Sequence, residues 1–144
     1  MMKDDIFYLT KLCGLTGEED EVSRGLSILL EPLVDEMKID EMGNLIGIRR
    51  CADPYAERLL LTAHMDQVGM VITDIVDEGF ACVAGLNGRT DSGAISICSG
   101  GAMTFGVSVP TRYGHSQVSN VYWPDVEQAV RMARLFIERT EDME

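Results

Sequence analysis

The stretch "LLLTAHMDQVGM", residues 59–70, decides how the fold is read. Leu59, Leu60 and Leu61 form a continuous apolar run, which suits a strand covered on both faces better than an edge strand with alternating faces. The run predicts a strand central to the sheet. It ends toward His64, with Asp66 two positions later, as a metal ligand and its orienting carboxylate would be set at a strand terminus. The chain has one other histidine, His115, in "PTRYGHSQVSN", residues 110–120.

Working outward, residues 3–13 predict a short helix. In "GLTGEEDEV" Thr16 is followed three positions later by Glu19, the capping-box pattern of a second helix start. Val22, Leu26, Leu29 and Leu30 then make one apolar stripe, interrupted by Pro32, that predicts packing against a sheet. Val34, Met37 and Ile39 among charges, "EMGN" and "LIGI" read as a hairpin, and "GMVITDIVDEGFACVAG" reads as another around an Asp-Glu-Gly turn. A short helix is expected from near Asp91 to Gly100, and "MTFGVSVP" reads as a strand closed by Pro110. The last helix opens with Pro124 at its first position and carries Val126, Val130, Ala133 and Ile137 on one face. The pattern predicts an α/β protein, a mixed β-sheet flanked by helices.

The 144 residues fit one domain able to bury about two-thirds of its unfolded surface. With 46% apolar residues and no run near the ~18 residues of a membrane span, no membrane partner is expected. The formal charge of −12 repels phosphate backbones and anionic lipid surfaces, which argues against nucleic acid. "MMKDDIFYLTKLCG" has acidic residues where a secretory signal carries positive charge, so a cytoplasmic protein is expected. Cys13, Cys51, Cys82 and Cys98 contain no CxxC pair, and they are expected as reduced, mostly buried thiols.

Each candidate residue has an ordinary alternative. His64 suits a hydrogen-bonded structural histidine as well as a ligand, and Asp66 suits a turn after a strand. His115 suits a surface loop, although loops after strands are where functional groups collect on α/β sheets. Asp91 suits a helix cap. Neither histidine lies near a nucleophile-elbow pattern, and "SGGAMTFG" lacks the Lys-Ser/Thr ending of a phosphate loop.

Together, "LTKLCGLTGEEDEV", "VDEMKIDEMGNLIGIRR", "LLLTAHMDQVGMVITDIVDEGF", "GRTDSGAISI" and "VSVPTRYGHSQVSNVYWPDVEQAV" resemble the co-catalytic zinc aminopeptidases, a family that includes glutamyl and tetrahedral aminopeptidases and proteins labelled endoglucanase M. The resemblance implies His64 as ligand of one zinc, His115 as ligand of the other, and Asp66 as the catalytic carboxylate that orients His64. Thr90, Asp91 and Arg112 would belong to loops beside the substrate. The cofactor implied is zinc, or cobalt or manganese, and the substrate a peptide N-terminus.

Against that family the chain looks internally shortened. It reads as a single reduced catalytic-like domain over 1–144, its N-terminal half 1–85 joined near Leu86 and Asn87 to a C-terminal segment 88–144. The family's dimerisation and gating domain is missing from between them. Also missing are the bridging Asp, the Glu pair and a further acidic ligand. One histidine per metal leaves a zinc ion mostly hydrated, so weak or absent binding and impaired catalysis are expected. Two alternatives stand beside this: a homo-oligomer or homologue-binding module formed through strands exposed by the deletion, and a residual mononuclear metallohydrolase using His64, Asp66, Asp91 and His115.

Overall fold

Asp40 closes the first hairpin. Its Oδ1 accepts from the backbone amides of Met42 and Asn44, both at 2.9 Å, and its Oδ2 from the Asn44 side-chain amide, also at 2.9 Å. Gly43 takes a φ of 84°, which glycine adopts without steric cost. This loop joins β1 (Glu36–Ile39) to β2 (Leu45–Ile48), antiparallel, with Glu36 opposite Ile48 and Ile39 opposite Leu45.

In a computed structural model, residues 2–53, 55, 58–76, 79–86, 95, 97, 103–116 and 118–139 are described. The chain divides into two units, Met1–Gly88 and Arg89–Glu144. In the first, α1 (Met2–Leu9) precedes α2 (Asp20–Leu30) and a 3-10 turn at Glu31–Leu33 that holds Pro32. The expected helix over 3–13 stops early: beyond Leu9 the amides of Lys11 and Leu12 bond three residues back, to Tyr8 and Leu9, and tighten the chain into turns. Val22, Ser23 and Gly25 of α2 are buried, and Leu26, Leu29 and Leu30 are half-buried, so the predicted stripe does face inward. At Gly25 a Cβ would press on Leu12 and Tyr8, so the bare backbone lets the turn after α1 close on α2.

The second hairpin also forms, from β3 (Gly69–Ile75) and β4 (Ala81–Leu86). Gly69 lies opposite Leu86 and Ile75 opposite Ala81, with a bulge between Ile72 and Asp74. The second unit holds β5 (Thr111–Arg112), paired antiparallel with β6 (Asn120–Val121), and α3 (Trp123–Arg139). Pro124 is the second residue of α3, and Phe136 of this helix stacks on Phe105 with ring centroids 6.0 Å apart. The stripe expected on α3 is only partly covered, with Val126 and Ala133 half-buried and Val130 and Ile137 exposed.

The class is therefore mixed α and β, but the sheet differs from expectation. Among the described residues there are three separate two-stranded antiparallel sheets rather than one mixed sheet. Leu59, Leu60 and Leu61 are exposed, form no strand and pair with none among the described residues, and the same holds for 103–108 of the expected "MTFGVSVP" strand. The physical reason is shared: a buried strand needs a neighbour to satisfy its backbone groups, and the hairpins close on themselves instead. Cys13, Cys51 and Cys82 are exposed rather than buried, because the first two lie in loops and Cys82 on a two-stranded sheet with little covering it. Cys98 lies outside the described residues, as does the helix expected from Asp91 to Gly100, apart from Ile95 and Ile97, which are helical.

Candidate functional site

The loop after Leu61 is tied to the turn between α1 and α2 by backbone. The Gln67 amide donates to the Gly14 carbonyl at 2.7 Å, and Leu15 and Gln67 form a short parallel bridge. Gly14 is needed for this approach: a Cβ there would lie 2.7 Å from Val22 Cγ2 and 3.2 Å from the Met65 carbonyl oxygen. The sequence between these anchors, Ala63 to Asp66, is thereby held beside the start of α2.

Within that loop His64 Nδ1 lies 2.9 Å from the backbone oxygen of Asp66 and 3.2 Å from its carboxylate Oδ1. Both neighbours are acceptors only, so Nδ1 carries the proton. In the neutral ring Nε2 then holds the lone pair. The His64 side chain is 79% exposed while that of Asp66 is 19% exposed, so the carboxylate is sheltered and the ring is presented outward. A shallow, mostly apolar cleft of about 320 Å³ adjoins the ring, bounded by Leu9, Val22, Leu26 and Met65 among others.

One further residue belongs to this group. Thr16 Oγ1 donates to Asp66 Oδ2 at 2.8 Å, and this corrects the capping expectation. The Thr16 hydroxyl is occupied by Asp66, Glu19 accepts from the Gly17 amide at 2.6 Å, and α2 begins after Glu19 with no side-chain cap. The capping-box pattern is local in sequence. The partner that wins is fifty residues away, and no spacing rule reaches it.

His115 and Arg112 lie in the second unit. His115 occupies the loop between β5 and β6 with a φ of 62°, and Tyr113 nearby has a φ of 59°, two non-glycine residues in the left-handed region. The Ser116 hydroxyl lies 2.6 Å from the Tyr113 carbonyl and 2.8 Å from that of Val118, which braces the turn on both sides of His115. Arg112 lines an open depression of about 510 Å³ with Asn120, Tyr122 and Asp125. Thr90 and Asp91 lie outside the described residues.

The group in the first unit presents an outward imidazole whose other nitrogen is held by the Asp66 backbone oxygen with the Asp66 carboxylate beside it, a geometry that suits one ligand position of a zinc-like ion. Among the described residues no three His, Cys, Asp or Glu side chains come together to complete such a site. No helix among the described residues is long and apolar enough to cross a membrane.

No family profile matches the chain. Curated proteins do. A protein of Acetivibrio thermocellus named for an inferred aminopeptidase activity is 32% identical over 92 residues, 61% of this chain and 27% of that protein. The lysyl aminopeptidase of Pyrococcus furiosus is 32% identical over 76 residues, 52% of this chain and 21% of its own length. FrvX of Escherichia coli, also named for an inferred aminopeptidase activity, is 33% identical over 79 residues, 53% of this chain and 21% of that protein. The chain thus spans about a quarter or less of the length of the curated relatives it matches. At this partial coverage, the chain is similar to proteins named as aminopeptidases.

Proposed function

We propose that the chain carries part of a metal-dependent aminopeptidase centre and is catalytically impaired by itself. The observation that carries this reading is the state of His64, with Nδ1 closed by Asp66 and Nε2 open. That is the arrangement in which an imidazole serves as a ligand and a neighbouring carboxylate fixes its tautomer. A metal bound in such a centre supplies a Lewis acid and a water of lowered pKa.

This chain's own residues supply less. His64 offers one nitrogen, Asp66 holds the proton at Nδ1, and His115, the only other histidine, belongs to the second unit. The resemblance implies substrate-loop roles for Thr90, Asp91 and Arg112, which belong to the second unit. The net charge of −12 favours approach of the ammonium group of a peptide N-terminus, the substrate this reading implies. No carboxylate among the described residues stands with His64 and Asp66 to act as general base. The purified chain, assayed with zinc, cobalt or manganese on aminoacyl anilides beside one of its longer relatives, is expected to be at least about a hundredfold slower. Comparable rates would overturn the impairment.

A second reading is favoured by the β3–β4 hairpin. Met70, Ile72, Ile75, Phe80 and Val83 are all exposed on it, and β4 carries no charge to oppose pairing with another copy. An isolated two-stranded hairpin is marginal in water, and a second copy adding strands would cover it. Light scattering is expected to give more than a monomer; a monomer at all concentrations would remove this reading.

A further inference from the structure

We propose that Thr16 is a positioning residue for His64, acting through Asp66: its hydroxyl holds Asp66 Oδ2 and thereby directs Oδ1 at His64 Nδ1. The inference rests on the proposed role of His64 as a ligand, and extends it to a residue in the turn before α2. A carboxylate on a single χ2 bond is free to rotate unless one of its oxygens is held. Here Oδ2 accepts from Thr16 Oγ1 at 2.8 Å, and with that oxygen held the direction of Oδ1, 3.2 Å from Nδ1, is set. The backbone oxygen of Asp66, 2.9 Å from the same nitrogen, gives a second acceptor whose place depends on the loop rather than on the side chain.

Thr16 is not needed to hold that loop in place. The Gln67 amide on the Gly14 carbonyl and the Leu15–Gln67 bridge anchor the two segments through backbone alone. The turn holding Thr16 is itself closed by the Glu18 amide on the Leu15 carbonyl at 2.7 Å. Removing the hydroxyl therefore leaves the scaffold and frees only the carboxylate. The consequence falls on the imidazole: Nδ1 keeps the Asp66 backbone oxygen but loses the fixed carboxylate beside it, and the hold on the tautomer with its lone pair on Nε2 weakens.

The test reads the tautomer directly, in the full chain without metal, from the ring nitrogen NMR signals at alkaline pH, where the imidazole is neutral. His64→Ala assigns the two histidines. The wild type is expected to show Nδ1 protonated, Thr16→Val to move His64 toward a mixture of tautomers with His115 unmoved, and Thr16→Ser to restore the wild-type pattern. A folded Thr16→Val with the His64 tautomer unchanged overturns the proposal. So does a wild-type Thr16 hydroxyl proton that exchanges as fast as those of exposed threonines, a measurement that needs no variant to fold. When zinc is then added, its affinity is expected to fall by up to about tenfold in Thr16→Val, since partners behind a ligand tune its affinity. A tautomer that follows Thr16 without any zinc response supports the positioning role and counts against the metal reading alone, so the two failures are distinct.

Discussion

At the scale of single residues, the first unit is organised by close backbone approaches and one shared carboxylate. Gly14 leaves little room for a side chain, because a Cβ there would press on the stiff Val22 side chain and lie close to the Met65 backbone oxygen. Gly14→Ala is expected to destabilise the unit by roughly 1–3 kcal/mol through overpacking, seen as a lower midpoint in denaturant unfolding. Asp66→Ala removes both the acceptor for Thr16 and one of those for His64 Nδ1. It is expected to weaken zinc binding by about 10–100-fold, the usual effect of losing a partner behind a ligand. The pairing of His64 with Asp66 was legible from two letters of sequence, because a carboxylate two positions from a histidine needs only a turn to reach its ring. The part played by Thr16 was not, since the local capping pattern that its sequence fits points to the α2 amides instead.

At the scale of elements, β1–β2 and β3–β4 were legible, whereas the pairing of β5 with β6 around His115, read as an irregular loop, and the fate of the two apolar runs were not. β1–β2 and β3–β4 are each specified by their own turn, and a turn is a local fact. The Asp40 loop makes a testable case. Hydrogen bonds from Asn44, side chain first and then backbone, and from the Met42 amide hold the Asp40 carboxyl below its ordinary value of 3.8. Because the folded pKa is the lower one, the stabilisation is present above the ordinary value and is lost as the pH falls through the folded one. Amide exchange at Met42 and Asn44 is therefore expected to quicken relative to the rest of β1–β2 on strong acidification, and Asp40→Ala to quicken it at neutral pH as well. Loss of protection that is uniform across both hairpins would argue against a local role. Leu59–Leu61 and 103–108 show the opposite limit. A run of apolar residues states that a segment should be covered but not by what, and neither run meets a partner strand among the described residues.

At the scale of the whole molecule, the two proposed readings rest on two features. The candidate centre offers a prepared imidazole without a complete donor set among the described residues, and β3–β4 leaves an apolar surface uncovered. Val83→Lys places a charge on the uncharged strand β4, and it is expected to shift light scattering toward the monomer without altering the His64 loop. The likeness to aminopeptidases was legible from short segments of sequence, since motifs survive there. What completes the site was not, because the curated matches cover only part of this chain and 21–27% of each relative. Calorimetric titration of the metal-free chain with zinc tests the central claim most directly. One weak site is expected, with its heat lost in His64→Ala; no binding by the wild type, or binding that His64→Ala leaves unchanged, would rule out His64 as a ligand.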